Sequence, residues 1–140
     1  MKLASAVIIA SAFSAAPVLA QESATLKKIK DTGTITLGHR ESSIPFSYYD
    51  DKQQVIGYSH ELMLKAVEGI KNELKMAKVE TRLMPVTSAN RITLIQNGTV
   101  DIECGSTTNN LERQKQDGFS TTIFVIGVRL LTKQDSGLKD

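Results

Sequence analysis

The sequence has one cysteine, two histidines and no surplus of either charge, and each scarcity removes a class of function. A lone Cys104 cannot close an intrachain disulfide or anchor a thiolate metal site. In an oxidising compartment it is either buried and inert or short of its partner. His39 and His60 stand at no spacing from Cys104 that signals nucleophilic catalysis, so each reads as exposed or core-satisfied. No GxGxxG or GxxxxGK[ST] loop is present to cradle a phosphate. The one extended apolar run, Leu3 to Ala20, is broken by Ser11, Ser14 and Pro17 and makes a poor membrane span. It has instead the form of an export signal. Lys2 is the only charge before Glu22, and Val18-Leu19-Ala20 places small residues at a cleavage point before Gln21. No cysteine follows that point, which argues against a lipoprotein anchor. Without Lys2 the balance is sixteen basic to fifteen acidic residues, a net charge of +1. That near-neutrality argues against a nucleic-acid binder. About 120 mature residues suffice for one domain with a modest core.

What is present is a strand–helix alternation. Residues 24 to 32 form a short amphipathic helix stopped by Gly33, with Lys27, Lys28 and Lys30 read as a solvated face. Strand 34 to 39 leads into a loop, 40 to 45. Phe46-Ser47-Tyr48-Tyr49 and Gln54-Val55-Ile56-Gly57 flank a turn and read as a hairpin. Ser59 is expected to cap the longest helix, 60 to 76. Leu62, Ala66 and Ile70 form its apolar row, widened by Met63, Val67 and Leu74, and Glu61 and Lys65 are set for an ion pair. Strand 79 to 84 precedes a helix capped by Thr87 or Ser88 and closed by Asn97-Gly98. Strand 100 to 103 runs into Cys104, and a helix over 110 to 117, capped by Asn109 or Asn110, ends at Gly118. Residues 119 to 132 read as one long or two successive strands.

This alternation predicts an α/β fold with a mainly parallel sheet flanked by helices. Ligands of such sheets bind outside the carboxyl ends of the strands. Arg40, Arg91 and Arg113 each lie just beyond such an end, with Ser88 beside one and Ser106 to Thr108 beside another. Arg113 in a helix's first turn sits against the positive end of the macrodipole, a placement that a bound anion would reverse. Three guanidiniums over-match a monocarboxylate, and unpaired buried charge is costly. A small dicarboxylate suits them better.

Gly38-His39-Arg40-Glu41-Ser42-Ser43-Ile44-Pro45-Phe46-Ser47-Tyr48-Tyr49-Asp50, Thr87-Ser88-Ala89-Asn90-Arg91, Gln96-Asn97-Gly98-Thr99-Val100-Asp101 and Cys104 through Gln116 closely resemble the glutamate/aspartate-binding proteins of bacterial ABC importers. These belong to the polar amino-acid group of extracellular solute-binding proteins. The resemblance runs from about residue 24 to the end. The family's helix-entry signature is matched only in part by Gly57 to Leu62, where Ser59 and His60 depart from it. The resemblance implies a lobe of the type II periplasmic-binding-protein fold, interrupted before the second lobe. It also implies periplasmic location, no cofactor, no catalysis, a monomer, and two partners: L-glutamate or L-aspartate and an inner-membrane ABC permease. Arg113 and Thr108 would hold the ligand α-carboxylate, and Ser106 would accept from its ammonium. Arg40, Arg91 and Ser88 would hold the side-chain carboxylate. The expected organisation is a signal peptide over 1–20, an N-terminal segment over 21–33, the first lobe over 34–132 and the start of an interlobe crossover over 133–140. A half-site of this kind is expected to bind weakly and without lobe closure. A non-binding remnant, or a dehydratase-like enzyme of the same fold, is the alternative. Intact-mass measurement of the exported chain should find Gln21 as the first residue, and an uncleaved Met1 would contradict the export reading.

Overall fold

In the computed structural model, which describes residues 23–127 and 131–137, the organising element is the buried strand Thr34–His39. The elements in chain order are α1 (Ala24–Thr32), β1 (Thr34–His39), β2 (Ser42–Ser43), β3 (Ser47–Tyr49), β4 (Val55–Ile56), α2 (Tyr58–Glu73), β5 (Glu80–Pro85), α3 (Arg91–Gln96), β6 (Ile102–Glu103) and α4 (Leu111–Gln114). The expected export signal over 1–20 lies outside the described residues. Strand β1 pairs in parallel with β5 on one side, Thr34 against Glu80 through His39 against Pro85. On the other side it pairs in parallel with β6, Leu37 against Ile102. The expected parallel sheet is therefore present, in the order β5-β1-β6. A second sheet, β2-β3-β4, is antiparallel; it contains the expected hairpin and one strand, β2, drawn from what reads in sequence as loop.

The core forms where β1 meets both long helices. Ile29 of α1, Ile35 and Leu37 of β1, and Met63 and Val67 of α2 are buried together, with Ile70, Leu74, Met76, Val79, Ile102 and Cys104 packed around them. Helix α1 stops where Gly33 takes a left-handed conformation, φ 70°, which glycine adopts without strain. Lys28 is not part of a solvated face. Its ammonium binds the Asp101 carboxylate at 2.8 Å and the Gly98 carbonyl at 2.9 Å. Asp101, its side chain 2% exposed, also accepts from the Thr36 amide at 2.8 Å, so one carboxylate ties α1, β1 and the approach to β6 together.

Helix α2 differs from expectation in three ways. It runs from Tyr58 to Glu73 and is preceded by Gly57, not capped by Ser59. Gly57 has φ 119°, and a Cβ there would lie 2.6 Å from the Phe46 carbonyl oxygen, so the hairpin can close onto the helix only at a glycine. Ser59 is fully buried and donates to the Gly105 carbonyl at 2.9 Å. The buried face is also rotated: Met63 and Val67 lead it, while Leu62 is half-buried and Ala66 exposed. The ion pair formed is Glu68–Lys71, not Glu61–Lys65.

Beyond α4, which has four residues in place of the expected eight, the segment 119–127 carries no strand. Strand β6 is only two residues long and offers little backbone for it to pair with. The segment is held by side chains: Tyr58 Oη donates to the Ile123 carbonyl at 2.9 Å, and the Phe124 ring packs edge-on to Phe46 and Tyr58. Residues 128–130 of the expected strand lie outside the described residues, and 131–132 are not strand. No helix among the described residues is long and apolar enough to cross a membrane. Met63→Ala is expected to lower folding stability by about 2–5 kcal/mol, as cavity-forming core truncations do. Leu64→Ala, on the exposed side of the same turn, should stay within about 1 kcal/mol. Urea denaturation of both variants checks the rotated face.

Candidate functional site

The three arginines leave the sheet on one rim because all three strands of the sheet run the same way. Arg40 follows β1 directly. Its backbone amide donates to Ser47 Oγ at 2.9 Å, and its guanidinium donates to Ser43 Oγ at 3.2 Å and to the Val86 carbonyl at 2.7 Å. Arg91 opens α3 and is 5% exposed. The turn before it is closed by Thr87, whose Oγ1 accepts from the Asn90 amide while Asn90 Oδ1 accepts from the Thr87 amide. Neither expected residue is the N-cap of α3, which is Asn90 and has no side-chain cap hydrogen bond; Thr87 closes the preceding turn, and Ser88 stands exposed on it. Arg113 lies in α4, whose N-cap is Asn110: Oδ1 accepts from the Arg113 amide at 2.9 Å. Four residues generate little macrodipole, so the expected opposition between Arg113 and a helix N-terminus has no force. The Arg113 guanidinium instead donates to the Thr108 carbonyl at 2.8 Å.

Arg91 feels both of the other cations. Burial lowers the Arg91 pKa from its ordinary value, the Glu103 carboxylate opposes that, and the charges of Arg40 and Arg113 lower it further. Of the other expected site residues, Ser106 is exposed and its hydroxyl meets Ser43 Oγ at 3.4 Å, while Thr108 is placed against Arg113 through its carbonyl. Arg40, Ser106, Thr108, Arg91 and Arg113 thus share one rim, while Ser88 is exposed on the turn that precedes Arg91.

Two residues in this site were not found by sequence reasoning. Glu103, its side chain 7% exposed, lies 3.7 Å from the Arg91 guanidinium. The Thr107 hydroxyl stands between them, accepting from Arg91 Nη1 and donating to Glu103 Oε2 at 2.6 Å. Arg91 Nε and Glu103 Oε1 are both buried without a hydrogen-bond partner. Gly105 closes the arrangement, since a Cβ there would stand 2.5 Å from Arg40 Cγ and 3.0 Å from Glu103 Oε1. The histidines are buried rather than exposed: His39 stacks edge-on against Tyr49, and burial together with the nearby His39 lowers the pKa of His60. Among the described residues no cluster of three or more acidic, histidine or cysteine side chains is arranged to hold a metal ion. A cleft of 620 Å³ between α2 and β5 is lined by Leu64, Val67 and Val79 and by none of the arginines.

The sequence profile of the bacterial extracellular solute-binding proteins, family 3, matches residues 35–139. The L-glutamate/L-aspartate-binding protein of Pseudomonas aeruginosa is 59% identical over 134 residues, 94% of this chain and 44% of that protein. The glutamate/aspartate import solute-binding protein of Escherichia coli is 54% identical over 138 residues, 95% of this chain and 46% of that protein. The chain therefore spans less than half the length of these relatives. Among solved structures, a cysteine-binding protein from Campylobacter jejuni superposes with a TM-score of 0.55 and 30% identity, over 66% of this chain and 36% of that one.

Cys104, next to the rim, is a free thiol whose pKa burial raises, with the Ser59 hydroxyl lowering it in part and Glu103 raising it. A thiol pKa higher folded than unfolded gives stability that is whole below the ordinary thiol value and lost as pH rises through the folded value. At roughly pH 8, iodoacetamide should alkylate the folded chain more slowly than the urea-unfolded chain. Equal rates for folded and unfolded chains would remove burial as the controlling factor.

Proposed function

Because the chain belongs to the bacterial extracellular solute-binding proteins, family 3, we propose that it captures acidic amino acids, L-glutamate or L-aspartate, in the periplasm for an ABC importer. The observation that carries this reading is the convergence of Arg40, Arg91 and Arg113 on one rim, close enough that the first and last lower the pKa of the second. The names of the most similar relatives, at 54–59% identity, favour the same ligands.

In this reading Arg113, held toward the rim by the Thr108 carbonyl, takes the α-carboxylate with the Thr108 hydroxyl. Ser106 accepts from the α-ammonium. Arg40 and Arg91, with Ser88, take the side-chain carboxylate. Charge-assisted hydrogen bonds from planar guanidiniums select a second carboxylate over an amide, because an amide carries no charge to match them. In this reading the site binds its ligand and does not transform it; the buried Glu103 carboxylate faces Arg91 and Thr107. The partner that consumes the bound ligand is the inner-membrane permease, and the chain acts as a monomer.

Two charge-assisted pairs of about 1.5–3 kcal/mol each place the Kd of these 140 residues for L-glutamate between tens of micromolar and several millimolar. Titration calorimetry should show L-glutamine binding at least ten-fold more weakly, about 1.4 kcal/mol. Arg113→Ala should abolish the glutamate heat. Equal affinity for the amide, or a glutamate affinity untouched by Arg113→Ala, would overturn the assignment.

A further inference from the structure

The rim carries a charge that the binding scheme does not use. Glu103 is buried on β6, packed close to Gly38 and Gly105. Its carboxylate faces the same guanidinium that a ligand carboxylate would approach. Yet the two do not form a closed ion pair: they stand 3.7 Å apart with the Thr107 hydroxyl between them, and one polar atom on each side has no partner. A pair meant only for stability would close to bidentate contact, since partly satisfied buried charges are unfavourable. Arg91 is thus held in place while its charge is only partly matched.

We propose that Glu103 is a positioning residue that acts as the rim's internal counter-charge, holding Arg91 through Thr107 and competing with the incoming carboxylate, so that it sets how weakly and how selectively the site holds acidic solutes. With three guanidiniums and one carboxylate the rim has a formal charge of +2, which faces a ligand of net charge −1, two carboxylates and one ammonium. Without Glu103 it would be +3, and would hold every small anion more tightly, inorganic ones included. The proposal deepens the acidic-solute reading and rests on it for the ligand's identity, but the competition itself is a property of the rim that any small dianion can report.

Glu103→Gln preserves the shape and can still accept from Thr107 while removing the charge. L-Glutamate affinity, measured by calorimetry, should rise about ten-fold, the order expected on deleting one unit charge near another in a partly desolvated site. Sulfate should raise the melting temperature of Glu103→Gln more than that of the unaltered chain. A role in structure alone would lower stability and affinity together, so an affinity that falls or stays level overturns the proposal. If the unaltered chain binds no L-glutamate, the acidic-solute reading fails, and the sulfate comparison still decides the counter-charge. Should Glu103→Gln not fold, Thr107→Val decides it. With the bridging hydroxyl gone, Glu103 closes on Arg91 and sulfate stabilisation drops below that of the unaltered chain; an unchanged value overturns the proposal.

Discussion

A guanidinium taken out of water has to find its compensation inside the protein, and the desolvation penalty runs to several kcal/mol per ion. Arg91 is the point where this lobe meets that constraint. Among the described residues, its pair with Glu103 is the one ion pair with both side chains less than a tenth exposed. Everything that brings those groups together follows from the parallel placement of β1 between β5 and β6. The turn after β5 delivers Arg91, β6 delivers Glu103, and the turn beyond it delivers Thr107. Arg40, at the end of β1 itself, adds a second positive charge that makes the burial of Arg91 harder. The rim is thus held short of electrostatic satisfaction by the sheet that builds it.

The sequence was readable where local chemistry decides the outcome. The Gly33 stop, the hairpin, the Gly98 turn and the strand Thr34–His39 depend on residues within one turn of each other. The arginine rim was readable for another reason: strand ends in a parallel sheet point one way, so three guanidiniums placed after three strands must share a rim. Which end of a ligand each one takes came only from resemblance. Glu103 was missed because nothing local in Val100-Asp101-Ile102-Glu103 shows which cation meets an acid of that strand. Both acids are buried, each against a cation distant in sequence, Lys28 for one and Arg91 for the other.

The same limit explains the errors in α2 and beyond. Ser59 looks like an N-cap, but tertiary contact with the Gly105 carbonyl turns it inward, and the buried face of the helix follows. The apolar stretch after Gly118 has the composition of a strand, yet a strand needs a neighbour with free backbone groups, and the two residues of β6 supply too few. Packing of Phe124 against Phe46 and Tyr58 holds it instead.

The sheet order also governs when the lobe can come into being. Thr34 must wait for Glu80, and Leu37 for Ile102, before the central strand has either neighbour. Contacts so far apart in sequence demand loop closure before they return any stabilisation, which slows folding. A nascent chain emerging amino terminus first therefore carries β1 without a sheet partner until the residues from Glu80 onward have appeared. Over that interval, a chaperone able to cover Ile35 and Leu37 would protect it from aggregation.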